Sequence, residues 1–371
     1  MTAPDAPSVA ARWTAISILC AIIAVFVVHG AYFSVMLAPL RHEQVYMAIA
    51  SGRTWGAIPP YAALMALWSA GSGFDLTFAR AFSVLCGVGS ILFAYRIGCR
   101  LMTDAPSGAA FTLSFILFPP LVATYSTVGP HALFAMLLLA ALDSLQCARS
   151  VESWTRQAGV AIQSGACAAL AGILSPLGFV VVPLWFVATA LIVSSGRAWT
   201  ISLATAAIFT VAWSALVGLH PLPTDTELVA SNVPFVTTIL LPFAMVAVSA
   251  GLSAATLWSS KVRTAMGRGG AILALVGFLA AGSVLSLAVQ FGWMRRGEGL
   301  TSIGYLFPLA IFAPWPLIVW ARRVMPLVTS IWAWVAFPVI MYSCFWVILG
   351  PIGPDRFPYS HRLETTFLER F

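Results

Sequence analysis

Charge is scarce in this sequence. Only 8% of its 371 residues are Asp, Glu, Lys or Arg, against about 25% in a soluble domain. Lysine is almost absent: Lys261 is the only one, and every other basic side chain is Arg. The cysteines are few and carry no pattern. Cys20, Cys86, Cys99, Cys147, Cys167 and Cys344 lie in or at the ends of apolar stretches, and no two stand at CxxC spacing. Without that spacing neither a zinc knuckle nor a redox pair is indicated; small apolar core residues are the plain reading. Low-complexity tracts and clear internal repeats are missing too. The scarcity of charge rules out a soluble globular enzyme, a disordered chain and a nucleic-acid-binding module. The net charge of +7 is therefore no sign of a nucleic-acid partner.

What the chain has instead is apolar surface. Sixty per cent of its residues are hydrophobic, and its mean hydropathy is +0.95. About 20 residues cross a bilayer, so the composition accommodates about eleven spans. Apolar runs lie near 13–36, 76–98, 107–124, 129–148, 157–174, 176–195, 198–218, 235–258, 270–291, 303–320 and 327–349. The fold class read from them is an all-α polytopic membrane protein. One membrane domain, 1–371, is expected. Its first half, 1–195, holds a long outer loop at 37–75; further helices fill 196–349, and 350–371 is a tail. The run 13–36 is too long for a signal-peptide core and reads as an uncleaved first helix. Prolines inside spans, such as Pro119-Pro120, Pro183 and Pro338, are tolerable where neighbouring helices satisfy the freed backbone groups.

The distribution of charge sets the orientation. With the N-terminus inside, Arg12, Arg96, Arg100, Arg149, Arg156, Arg197, Lys261, Arg263, Arg268, Arg322 and Arg323 fall on the cytoplasmic side. In the short loops this bias follows the positive-inside rule. Most acids fall outside, including Glu43, Asp75, Asp225, Glu227 and Glu298. Asp143 is expected to reach the cytoplasmic interface from an inner helix end. The expected location is a bacterial inner membrane, with a cytoplasmic N-terminus and a periplasmic C-terminus. The longer connections are on the outer side, so a polar site belongs there.

The first outer loop is the most informative stretch. It reads Leu40-Arg41-His42-Glu43-Gln44-Val45-Tyr46, then Gly52-Arg53-Thr54-Trp55, then Ile58-Pro59-Pro60-Tyr61. Residues 40–53 predict a short helix along the membrane surface. Glu43, Tyr46 and Arg53 then share one face by helical spacing. A second short helix fits 61–70, stopped by Gly71-Ser72-Gly73.

The order of these motifs resembles a family. A first membrane helix leads to an acidic motif with a following Tyr, and then to a Pro-Pro element. The next helix opens Ala79-Arg80-Ala81-Phe82 and closes on Tyr95-Arg96-Ile97-Gly98. The stretch Ala171-Gly172-Ile173-Leu174-Ser175-Pro176 adds a further match. Together these resemble the GT-C glycosyltransferases of the protein O-mannosyltransferase and lipid A aminoarabinose transferase type. That family carries Asp-Glu-x-x-Tyr in the outer loop, then His-Pro-Pro-Leu, then Leu-Arg-Leu at the start of the second helix. The resemblance covers about residues 20–190. His42 replaces the first acid and Ile58 the His before Pro-Pro. His131 stands where the family often has Asp, and Ser175 replaces a Lys.

The resemblance implies transfer of a sugar from a polyprenyl-phosphate carrier to an acceptor lipid, glycan or protein on the outer face. The attacking hydroxyl must lose a proton, which a nearby carboxylate can take; Glu43 is the expected base. The leaving phosphate needs fixed positive partners, and the planar fork of Arg suits it. Arg53, Arg80, Arg295 and Arg296 are the expected outer cations, with Tyr46, His42 and His131 as further substrate-binding positions. The lipid-linked sugar is the expected donor substrate; no cofactor is firmly indicated, and a divalent metal held by His42 and His131 stays open as an alternative. His binds metals well, but His42 and His131 belong to no ligand set of recognisable spacing. Two other functions stay open: a GT-C-like accessory subunit of a larger membrane complex, and a lipid or polysaccharide transporter.

Overall fold

A backbone in hydrocarbon must satisfy its own N–H and C=O groups, which makes each long apolar run a helix. The computed structural model describes residues 9–36, 41–53, 60–102, 125–148, 153–174 and 196–217, with isolated positions at 112, 151, 182–183, 185–186 and 189. Among these residues the regular structure is helical, without strands. Seven α-helices are described: α1 (Val9–Met36), α2 (Arg41–Ala50), α3 (Pro60–Ser69), α4 (Leu76–Met102), α5 (Pro130–Ala148), α6 (Trp154–Leu174) and α7 (Gly196–Val217).

Five of them are long and apolar enough to cross a membrane: α1, α4, α5, α6 and α7. They match the expected spans at 13–36, 76–98, 129–148, 157–174 and 198–218. The chain is a multi-pass membrane protein. The expected spans at 235–258, 270–291, 303–320 and 327–349, and the tail, lie outside the described residues. So do nearly all of 107–124 and 176–195.

The spanning helices pack in the order α1–α4–α5–α6–α7. The core gathers on α5, whose Ala132, Phe134, Ala135, Leu138, Leu139, Ala141, Leu142 and Leu145 are buried among α4 and α6. Small residues bring backbones close, as is usual between membrane helices. A Cβ at Gly165 of α6 would overlap the Ser202 carbonyl of α7, and one at Gly87 of α4 would overlap Phe26 of α1. Buried hydroxyls add hydrogen bonds across the same contacts. Ser202 donates to Ser164 at 3.1 Å, and Ser164 donates to the Ala141 carbonyl at 2.9 Å. The outward face of α1 stays apolar and uncovered, with Val25, Val28 and Val35 about two-thirds exposed, as a lipid-facing surface must be.

At the far end of α4, away from α2 and α3, Asp143 is buried. It accepts from Arg100 at 2.6 Å and pairs with Arg96 at 3.2 Å. Two guanidiniums one helical turn apart on α4 converge on this one carboxylate of α5.

Candidate functional site

The short helices of the first loop are set by local chemistry. Helix α2 ends where Gly52 takes the left-handed conformation, φ 72°. The Arg53 N–H then returns to the Ala48 carbonyl at 3.0 Å, and the Gly52 N–H to Ile49 at 3.0 Å, the bonding of a Schellman stop. Helix α3 opens on Pro60, whose missing N–H costs nothing at the first helical position. It runs into a 3₁₀ turn at Ala70–Ser72, closed by Gly73 at φ 66°. Asp75 then caps α4, accepting the Phe78 N–H at 2.8 Å, as an N-cap carboxylate does.

These stops position Glu43. It sits in the first turn of α2, where a negative charge favours the helix dipole, and its side chain is fully buried. Arg80, in the second turn of α4, meets it as a two-pronged fork. Nε donates to Oε1 at 2.9 Å and Nη2 to Oε2 at 2.5 Å. Both side chains are out of solvent, at 2% and 0% exposure. Arg80 Nη1 donates to the Ser34 carbonyl near the end of α1 at 2.9 Å. The Val128 N–H, just ahead of α5, donates to Glu43 Oε1 at 2.7 Å. One carboxylate and one guanidinium therefore join α1, α2, α4 and the head of α5.

An aromatic and hydroxyl layer lies beside this pair. Tyr46 of α2 packs edge-on against Tyr61 of α3, ring centroids 5.2 Å apart, and Tyr61 leans on Phe82 of α4. The Tyr61 hydroxyl accepts the Gly129 N–H at 3.0 Å. Burial pushes the Tyr61 phenol well above its ordinary range, against the lowering effect of hydrogen bonds with Ser83 and Gly129. Tyr61 is thus a neutral hydroxyl at any working pH. Ser83 Oγ donates to the Thr127 carbonyl at 2.6 Å.

The expected site residues divide. Glu43, Arg80 and Tyr46 come together. His131 stands in the first turn of α5, three residues past Val128, and is half-buried. Arg53 does not share the Glu43 face: the Gly52 stop places it beyond the helix, exposed. The expectation for Arg80 is a substrate phosphate; here its Nε, Nη1 and Nη2 are directed at Glu43 and Ser34. The His42 side chain and all of Arg295 and Arg296 lie outside the described residues. Among the described residues, no three His, Cys, Asp or Glu side chains group as a metal site. Sequence reasoning missed Ser34, Tyr61, Ser83 and the turn at Thr127–Gly129. Tyr61 carried a signal, as a hydroxyl-bearing residue directly after the Pro-Pro element; the backbone donors and acceptors carried none.

No protein-family model and no curated protein sequence matches the chain. A solved structure does match it in fold: ArnT from Cupriavidus metallidurans bound to undecaprenyl phosphate. The TM-score is 0.54 at 14% identity, over 94% of this chain and 75% of that one. The polytopic GT-C-like fold implied by the sequence resemblance is the fold found.

Proposed function

We propose that this chain is a membrane glycosyltransferase that moves a sugar from a polyprenyl-phosphate donor to an acceptor hydroxyl. The reaction takes place at the end of the bundle that carries α2 and α3. That end is the periplasmic face of a bacterial inner membrane, with the N-terminus cytoplasmic and the tail 350–371 periplasmic. The observation that carries the reading is the Glu43 carboxylate. It is the polar hub of the loop end in a fold similar to that of ArnT, a protein solved with undecaprenyl phosphate bound.

The chemistry is a direct displacement. The acceptor oxygen bonds to the anomeric carbon as the bond from that carbon to the phosphate oxygen breaks. The hydroxyl proton passes to Glu43, and the polyprenyl phosphate leaves as an anion. A base of this kind contributes about 10²- to 10⁴-fold. Arg80 holds the carboxylate in place by its fork. The exposed Arg53 and the Arg295-Arg296 pair meet the leaving phosphate, and Tyr46, His42 and His131 line the substrate. Glu43 is enclosed in the resting arrangement, so the acceptor reaches it when α2 shifts on α4.

A second reading is favoured by that same enclosure. A carboxylate with Arg80 and Val128 donating to it, and no exposure, suits a clamp in a non-catalytic GT-C-like subunit of a membrane complex. Glu43→Gln separates the two. The full chain is reconstituted in proteoliposomes with a panel of undecaprenyl-phosphate sugars and envelope acceptors. The catalytic reading expects covalent transfer that falls at least about 100-fold in the variant, with a folded, monodisperse protein. Transfer at the wild-type rate in Glu43→Gln removes the base; no transfer by the wild type from any donor favours the clamp.

A further inference from the structure

Three consecutive backbone groups ahead of α5 are each held by a side chain from a different helix. The Thr127 carbonyl accepts from Ser83 of α4 at 2.6 Å, the Val128 N–H donates to Glu43 of α2 at 2.7 Å, and the Gly129 N–H donates to Tyr61 of α3 at 3.0 Å. The next residue is Pro130, the first of α5. Proline has no N–H and restricts the residue before it to extended conformations. This turn therefore cannot be held by extending the helix backwards. Buried groups of this kind must find partners, and here side chains supply them.

Tyr61 is the most constrained of the three. Its side chain is 1% exposed, packed edge-on against Tyr46 and tilted on Phe82. These contacts hold the ring where its hydroxyl meets the Gly129 N–H. The ring packs, while the oxygen accepts from the Gly129 N–H and bonds with Ser83, whose own hydroxyl holds the Thr127 carbonyl of the same turn.

We infer that Tyr61 is a positioning residue for the Glu43 carboxylate: its hydroxyl fixes the turn at Thr127–Gly129 so that the Val128 N–H meets Oε1. With Arg80 Nε and Nη2, that N–H locks the rotation of the carboxylate plane. Small misplacements of a catalytic group are costly in rate. The inference rests on the reading of Glu43 as the base.

The test uses the full chain in lipid nanodiscs, with Tyr61→Phe, which removes one oxygen and keeps the ring. Ser164→Ala is the control, since it removes an equally buried hydroxyl from the α5–α6 contact, away from the site. Amide hydrogen exchange at residues 127–131 should rise about tenfold in Tyr61→Phe and stay unchanged in α6 and α7. With whichever undecaprenyl-phosphate sugar the wild type uses, kcat should fall about tenfold while the donor KM holds within about twofold. Ser164→Ala should leave kcat unchanged. Unaltered exchange at 127–131 overturns the inference, and so does raised exchange there with an unaltered kcat. Exchange that rises throughout the bundle also overturns it, as a general loss of packing. A wild type that transfers from no donor in the panel overturns the functional reading and the kinetic role with it. Exchange at 127–131 still decides separately whether Tyr61 holds the turn.

Discussion

Helix α4 carries an arginine–carboxylate cluster near each end, and the two are built on different principles. Near its start, Arg80 and Glu43 are both out of solvent and meet as a matched fork. Near its end, Asp143 is buried, but its partners Arg96 and Arg100 have side chains 52% and 32% exposed. The first cluster joins residues 37 and 85 positions apart in sequence and ties a loop helix to the bundle. The second joins only α4 and α5, which already pack along their length. Burial makes the first pair indispensable to its own partners. A lone buried ion has no water to turn to, whereas an exposed guanidinium has.

Removing one partner gives the largest expected effect. Arg80→Gln strands Glu43 in a dry site and should destabilise the protein by about 3–5 kcal/mol. Unfolding in detergent, followed by thermal or denaturant titration, measures it. The double substitution Glu43→Leu with Arg80→Met removes both charges and should recover at least half of that loss. A double variant no more stable than Arg80→Gln would mean that the hydrogen bonds to Ser34 and Val128, not the charge pairing, hold the loop end.

Asp143→Asn breaks the other cluster by removing the shared carboxylate. Arg96 and Arg100 can then turn outward, and Arg100 keeps its bond to the Asp143 backbone carbonyl at 3.0 Å. The expected loss is about 1 kcal/mol or less. A loss as large as that of Arg80→Gln would erase the contrast between the ends of α4.

The contrast also explains what was legible in the sequence. The spans on α1, α4, α5, α6 and α7 announce themselves, because apolar length is written residue by residue. The stop at Gly71–Gly73 is local as well. The fate of α2 was not legible. Helical spacing groups Glu43 with Arg53, but Gly52 ends the helix between them. Amphipathic reading turns a carboxylate towards water, yet Glu43 turns inward because Arg80 and the Val128 N–H await it there. Those partners are supplied by distant segments, and one is a backbone group that no side-chain pattern records. The pairing of Asp143 was not legible for the same reason: its two cations lie on another helix, and only packing shows that they converge.

The smallest expected effect comes from Arg96→Gln. Its guanidinium is the more exposed of the two on Asp143 and the more distant, at 3.2 Å against 2.6 Å for Arg100. Losing it leaves Asp143 paired, so stability should change by about 0.5 kcal/mol or less. Whatever effect it has should vanish near 1 M salt, where the screening length is about 3 Å. The Arg80→Gln loss should persist there, because ions do not reach a sealed pair. Measuring both variants across one salt series distinguishes a screened cluster from a sealed one without reference to activity. A salt-sensitive Arg80→Gln would mean that the Glu43 site is already open to ions in the resting protein, and the contrast between the two ends of α4 would fall.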